Sequence, residues 1–237
     1  MFASAEAVRD ALGIPHPRPA LFISGGASAM DDNAIFKTRN LMEGGVARFA
    51  AENDVVVIDG GTNAGIMQMM GEAHEKWGDR FTLVGCAPEG KVTYPGYKPS
   101  EADNKHDPEA ARTPLEPNHT HFVLVDENYW GAESDMIVGL TRAISGGKMP
   151  MAGVLINGGS IAKYDIYIAS ARGESPIPVL VVDGSGRSAD EIAHASRTGR
   201  FTSAMVRAIV EGGKIDEVSL EGGARMMYER LKEMFKR

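Results

Sequence analysis

The sequence predicts an α/β fold of the Rossmann-like, doubly wound kind, a mainly parallel sheet with helices on both faces. Three observations carry that expectation. Apolar, β-branched runs recur at residues 20–23, 55–58, 122–125, 154–156 and 179–182. Each runs straight into a glycine-bearing turn, at 24–28, 59–65, 126–131, 157–160 and 183–187. Between them lie segments with the 3.6-residue apolar spacing of helices. The alternation continues nearly end to end without a polar linker, so residues 1–237 read as one domain.

Taken in order, the leading stretch to Gly13 spreads Glu6, Arg9 and Asp10 through a helical pattern. Pro15-His16-Pro17-Arg18-Pro19 then makes a rigid extended approach to the first strand. In 33–51, Ile35, Met42, Val46 and Phe49 form a helical stripe, which Gly44-Gly45 is expected to weaken or bend. After the second strand, Ile66, Met69, Met70, Ala73 and Trp77 mark another helix whose methionines read as core filling. A third strand spans 81–86 and ends on Cys86, read as a small buried hydrophobe. Residues 88–118 show no strong period and are a candidate lid, with Lys91, Tyr94, Tyr97 and Lys98 as candidate ligand contacts.

Strand 121–125 precedes a helix over 131–145 carrying Met136, Ile137, Leu140 and Ile144 on one face. Strand 151–156 leads to a helix marked by Ile161, Tyr164, Ile168 and Ala169, and strand 178–182 follows. Ser188-Ala189-Asp190-Glu191 has the form of a capping box, in which Ser188 and Glu191 bond reciprocally to each other's backbone. Two last helices, 202–211 and 224–236, flank a turn-rich stretch at 212–223. The final one is amphipathic and is expected to dock on the domain or to form a homo-oligomer seam.

Composition narrows the function. A chain of 237 residues, 43% hydrophobic and 24% charged, can bury a sizeable core. Its net charge of −7, with no cluster of Lys and Arg, excludes a nucleic-acid footprint. One cysteine allows no internal disulfide and fits a reducing cytoplasm. No stretch approaches the roughly 20 apolar residues of a membrane span, and no signal-peptide pattern opens the chain. A cytoplasmic protein without a membrane partner is expected.

If the strands are parallel neighbours, all five turns gather on the carboxyl edge of the sheet, where such folds bind ligands. Glycine lets bare backbone approach a ligand, and the following helix offers unpaired N–H groups and the positive end of its dipole. The candidate ligand contacts are Gly25, Gly26 and Ser28 in the first turn, and Gly60, Gly61, Thr62, Asn63 and Gly65 in the second. Asp126 and Gly131 follow in the third, Gly158, Gly159 and Ser160 in the fourth, and Gly184, Ser185 and Gly186 in the fifth. A nucleotide-like small molecule is the expected partner, with no cofactor required. Arg187 can fork onto a phosphate.

Glu133 fits two roles that the residues leave open. It can accept hydrogen bonds from ribose hydroxyls. Alternatively Glu133 or Asp135 can stabilise the oxocarbenium-like charge of a breaking N-glycosidic bond, or position water for that step. The pair His119 and His121 is expected to orient strand or loop rather than bind metal. Asp59 and Asp126 at strand ends are expected to be held by nearby backbone amides. No Gly-x-Ser-x-Gly elbow, Walker lysine pattern or zinc-protease helix is present.

Three ordered blocks resemble the SLOG superfamily. They are Asp59-Gly60-Gly61-Thr62-Asn63-Ala64-Gly65-Ile66-Met67 through Gly71-Glu72-Ala73, then Leu115-Glu116-Pro117-Asn118-His119-Thr120-His121-Phe122 with Leu124-Val125-Asp126, and Pro176-Ile177-Pro178-Val179 through Asp183-Gly184-Ser185-Gly186-Arg187-Ser188-Ala189-Asp190. More narrowly they are similar to the SLOG domain of melastatin-type TRP channels and its stand-alone prokaryotic relatives, over about residues 19–195. The resemblance implies a Rossmann-like domain that senses nucleotide-derived ligands such as ADP-ribose, cyclic ADP-ribose or other NAD breakdown products. The superfamily also holds the Lonely-Guy phosphoribohydrolases, marked by Pro-Gly-Gly-x-Gly-Thr-x-x-Glu. Here the matching turn reads Glu127-Asn128-Tyr129-Trp130-Gly131-Ala132-Glu133-Ser134-Asp135, without the Pro, the paired Gly or the Thr, and with Asp135 in place of the glutamate. That departure argues for binding over hydrolysis.

Overall fold

The computed structural model describes residues 4–98, 111–172 and 175–236. The middle of the candidate lid, 99–110, lies outside the described residues. In chain order the elements are α1 (Ala5–Leu12), β1 (Ala20–Gly25), α2 (Asp32–Leu41), a π-helical segment Met42–Ala47, α3 (Arg48–Asn53) and β2 (Val56–Asp59). Next come α4 (Gly65–Trp77), β3 (Leu83–Pro88), β4 (Val92–Thr93), β5 (Thr113–Pro114), β6 (His121–Val125) and α5 (Ser134–Ser145). The chain continues with β7 (Met151–Ile156), α6 (Ser160–Ala171), β8 (Val179–Asp183), α7 (Arg187–Thr198), α8 (Ala204–Gly212), β9 (Ile215–Ser219) and α9 (Gly223–Met234).

Seven strands form one sheet in the order β6-β3-β2-β1-β7-β8-β9, and every pairing in it is parallel. The chain steps outward from β1 through β2 and β3 to β6, returns to place β7 on the other side of β1, and steps outward again. The reversal puts the switch point between β1 and β7. Strand alternation sends Leu21 and Ile23 into one core with α2, α3, α4 and α9. Ala20 and Phe22 enter the opposite core with α5, α6, α7 and α8. Buried on both faces, these strands read as continuous apolar runs, as parallel strands do.

Four details depart from the sequence reading. The stretch 212–223 holds an edge strand, β9, whose only buried residue is Val218. Gly44-Gly45 do not break their helix: the coil widens into the π-helical segment, and the Glu43 carbonyl accepts from Trp77 Nε1 at 3.0 Å. The glycines there admit α9, since a Cβ on Gly45 would lie 2.8 Å from Met227 Cγ. The capping box does not form. Helix α7 begins two residues earlier, with Gly186 in the cap position, the Ser188 hydroxyl donates to the Gly159 carbonyl at 3.1 Å, and Glu191 pairs with Lys163 and Thr202. Finally, 88–118 is not wholly irregular, because β4 and β5 pair in a small second sheet. Among the described residues no helix is long and apolar enough to cross a membrane.

Candidate functional site

A cavity of about 360 Å³ opens where β1, β2 and β7 end, beside the switch point. Its walls come from the β1 turn (Ser24, Gly25, Gly26), the β2 turn (Gly60, Thr62) and the start of α6 (Gly159, Ser160). Met67, Trp130 and Ile161 form an apolar rim, Glu133 and Asp165 lie within, and Arg187 stands at the edge. Helix α1 is capped by Ser4 and α8 by Ser203, whereas α6 starts at the cavity, at Gly159-Ser160, with no side-chain cap. The first N–H groups and dipole end of α6 are therefore available to an anion.

The β2 turn is held from behind by a buried ionic bridge. Gly61 has φ +64° and sits so close to β3 that a Cβ would fall 2.7 Å from Gly85 Cα, so only glycine fits. Its N–H donates to Asp59 Oδ1 at 2.7 Å. The same oxygen accepts from His119 Nε2 at 2.9 Å, while His119 Nδ1 donates to Glu116 Oε2 at 2.8 Å. Burial works against the charged imidazole, but Asp59 and then Glu116 outweigh it and raise the His119 pKa to about 9. Glu116 reaches this position by crossing α4 at Gly71, where a Cβ would lie 1.9 Å from its Oε2. His119 thus orients a loop, as the sequence suggested, and it does so by charge.

Inside the cavity are two carboxyls. Glu133 is buried, and Gly131 N–H donates to its Oε2 at 2.8 Å. Burial raises its pKa to about 7 against that hydrogen bonding, with a smaller push from Asp165. Burial likewise raises Asp165 to about 6, opposed by the hydroxyls of Ser134 and Ser24. Ser24 donates to Asp165 Oδ2, and the buried Ser134 hydroxyl lies beside the same carboxyl.

Of the sequence candidates, the structure brings Gly25, Gly26, Gly60, Thr62, Glu133, Gly159, Ser160 and Arg187 to this cavity. The others stand elsewhere. Gly61, Gly65 and Gly158 shape the turns, each at positive φ, and Gly131 supports Glu133. The Asn63 N–H is spent on the Pro114 carbonyl at 2.8 Å, and the Ser28 carbonyl accepts from Asn157 Nδ2 at 2.9 Å. The fifth turn is closed on itself: Gly184 N–H donates to Asp190, and Ser185 Oγ bonds to Asn157 N–H and the Val182 carbonyl. Gly186 caps α7 beside Asn157, so only Arg187 reaches the cavity from this turn.

Asp126 lies in a separate depression with Glu89, Tyr97 and Arg112. Lys91, Tyr94 and Lys98 also stand outside the cavity lining. Asp135 is corrected most clearly: on the first turn of α5 its side chain is 74% exposed and faces Arg172 at 3.6 Å, so it cannot be the second carboxylate of the crevice. Asp165 occupies that place. The sequence signal for it is an acid at i+4 from Ile161, on the apolar side of a helix that starts behind a Gly-Gly turn. Ser24 and Trp130 lie in turns the sequence marks, beside the glycines that draw attention first.

Comparison with known proteins gives a family and a fold. A family model described as SLOG in TRPM, prokaryote, matches residues 18–227. The chain is 30% identical over 205 residues to transient receptor potential cation channel subfamily M member 2 of Rattus norvegicus, which covers 75% of this chain and 13% of that one. It is 27% identical over 207 residues to the subfamily M member-like 2 channel of Nematostella vectensis, covering 76% and 13%. The chain therefore spans about an eighth of the length of these relatives. Among solved structures, the X-ray structure of TM1055, a structural genomics target, superposes with a TM-score of 0.59 at 16% identity. It covers 91% of this chain and 99% of that one, and shows a shared Rossmann-like fold.

Proposed function

We propose, from the premise that this chain belongs to the prokaryotic family of SLOG domains related to TRPM, that it binds and senses a nucleotide-derived small molecule in the cytoplasm. ADP-ribose, cyclic ADP-ribose and related NAD-derived metabolites are the leading candidates. The observation that carries this reading is the convergence of three glycine turns, the uncapped start of α6 and Arg187 on one cavity at the switch point. Backbone N–H groups of the turns and the guanidinium suit phosphates. The rim of Trp130, Ile161 and Met67 suits the face of a base, and Glu133 suits ribose hydroxyls.

Arg187 supports the reading in a second way. It has φ +47°, a left-handed conformation that costs a non-glycine residue about 1–2 kcal/mol, and its side chain is exposed. A strained, exposed cation at a cavity mouth is accounted for by an anion that it meets.

The raised pKa of Glu133 favours one alternative, cleavage of an N-glycosidic bond. A carboxyl near pKa 7 can give its proton to the departing base nitrogen, Asp165 can stabilise the cationic sugar, and water then adds at the anomeric carbon as its proton leaves. One experiment separates the two readings. Thermal shifts are measured with AMP, NAD, ADP-ribose and cyclic ADP-ribose, and each mixture is then analysed by mass spectrometry. A raised melting temperature with intact ligand supports sensing, since a ligand of the native state stabilises it. Free base or nicotinamide supports cleavage, and no shift with any of the four overturns both.

A further inference from the structure

Among the described residues, four that are not glycine hold a positive φ: Ala29, Asp54, Asn157 and Arg187. Asp54 is the left-handed cap of α3, a usual place for an aspartate. The other three stand on or beside the first, fourth and fifth turns. Ala29, at φ +64°, is the least expected, because its Cβ disfavours the left-handed region and it has no polar side chain to hold it there. It is the third residue of a tight turn, 27–30, that directly follows Gly26 and is closed by the Met30 N–H donating to the Ala27 carbonyl at 3.2 Å. Ser28 before it keeps a negative φ, so the turn is of type II, which favours glycine at its third position.

The group that holds this turn comes from across the switch point. Type I and type II turns differ by a flip of the central peptide, here Ser28–Ala29. Its carbonyl accepts from Asn157 Nδ2 at 2.9 Å. Asn157 is 1% exposed and is fixed through its own backbone, its N–H donating to Ser185 Oγ at 2.7 Å and its carbonyl accepting from the Ala189 N–H at 2.9 Å. A firmly held donor thus meets the one carbonyl of the turn whose direction the flip reverses. Gly25 and Gly26, immediately upstream, line the cavity. We propose that Asn157 is a positioning residue whose side-chain amide locks the Ser28–Ala29 peptide and so presents the first turn, preformed, to the ligand. This rests on reading the cavity as a nucleotide site.

The test is calorimetric titration of ADP-ribose and of AMP into wild type, Asn157→Gly and the double variant Asn157→Gly with Ala29→Gly, with hydrogen exchange over 26–30 followed in the same proteins without ligand. Glycine at 157 accepts the left-handed backbone and removes only the side-chain donor. Loss of one neutral hydrogen bond corresponds to about fivefold in affinity, and 26–30 should exchange faster. Adding Ala29→Gly, which lets the turn hold its type II form without the lock, should bring affinity back to within about twofold of wild type. An amide with a general structural role would not be rescued at residue 29. Asn157→Asp, which tolerates the same backbone and lacks the donor, serves in both arms if Asn157→Gly does not fold. Unchanged affinity or exchange in Asn157→Gly, or a loss that Ala29→Gly does not recover, overturns this inference and leaves the nucleotide site standing. Absence of wild-type binding of both ligands removes the nucleotide reading along with it.

Discussion

Glu133→Gln should make the unliganded protein more stable, and by an amount that depends on pH. Glutamine keeps an oxygen to accept from Gly131 N–H but carries no charge into the buried site. The native carboxyl has its pKa raised from 4.5 to about 7. Below the unfolded value both states are protonated, and the residue contributes the same as its isostere. As pH rises through the window from 4.5 to about 7, the unfolded chain releases its proton while the folded one holds it, so wild-type stability falls. The 2.5-unit difference corresponds to about 3 kcal/mol at 1.36 kcal/mol per unit. The variant escapes that loss, so its advantage grows from near zero at pH 4.5 to about 3 kcal/mol at pH 8. For a chain of this size the latter is roughly 6–12 °C in melting temperature. Urea denaturation of both proteins at four pH values reads the difference directly. A difference that stays flat with pH, or that favours wild type at pH 8, refutes the claim that Glu133 is a charge buried at a cost to the fold.

Three further outcomes follow from the geometry. His119 has its pKa raised from 6.5 to about 9, so its contribution of about 3 kcal/mol is fully present below pH 6.5 and fades as pH passes 9; chemical denaturation between those values should show the decline in wild type and not in His119→Asn. Gly71→Ala, ordinarily favourable in a helix, should destabilise by about 1–3 kcal/mol because its Cβ displaces the Glu116 carboxylate from His119, and a lowered urea midpoint checks this. Arg187→Gly should raise apparent stability by about 1 kcal/mol by relieving its left-handed backbone, read by thermal melting, while weakening ADP-ribose binding in calorimetry by about tenfold or more.

Much of the sheet was legible because its interior strands are buried on both faces. Runs such as Val55 to Ile58 have no alternation to blur, and each meets its turn at a glycine. The edge strand β9 escaped notice for the opposite reason: Ile215-Asp216-Glu217-Val218-Ser219 is short, half exposed and doubly charged, and lies between glycine pairs. Gly44-Gly45 signalled a break where packing by α9 instead favours a wider coil, a tertiary effect that local propensity does not contain. Ser188 and Glu191 had the spacing of a cap, but the β7 turn and α6 compete for their side chains.

The cavity itself was half legible. Glycine turns after strands mark where bare backbone lines a crevice, so Gly25, Gly26, Gly60 and Gly159 could be named as cavity residues. Asp165 could not, because its meaning depends on α6 turning it toward Ser24 from 141 residues away in the chain. Asp135 drew attention by standing two residues from Glu133 in sequence, a separation that points side chains apart at a helix start.

The most direct measurement is calorimetric titration of ADP-ribose into wild type and into Arg187→Ala, with the recovered ligand checked by mass spectrometry. The account predicts one-to-one binding of intact ligand by wild type and a loss of about tenfold or more in the folded variant. Binding that Arg187→Ala leaves unchanged, or no wild-type binding of this ligand or of AMP, NAD and cyclic ADP-ribose tested alongside it, would contradict the account.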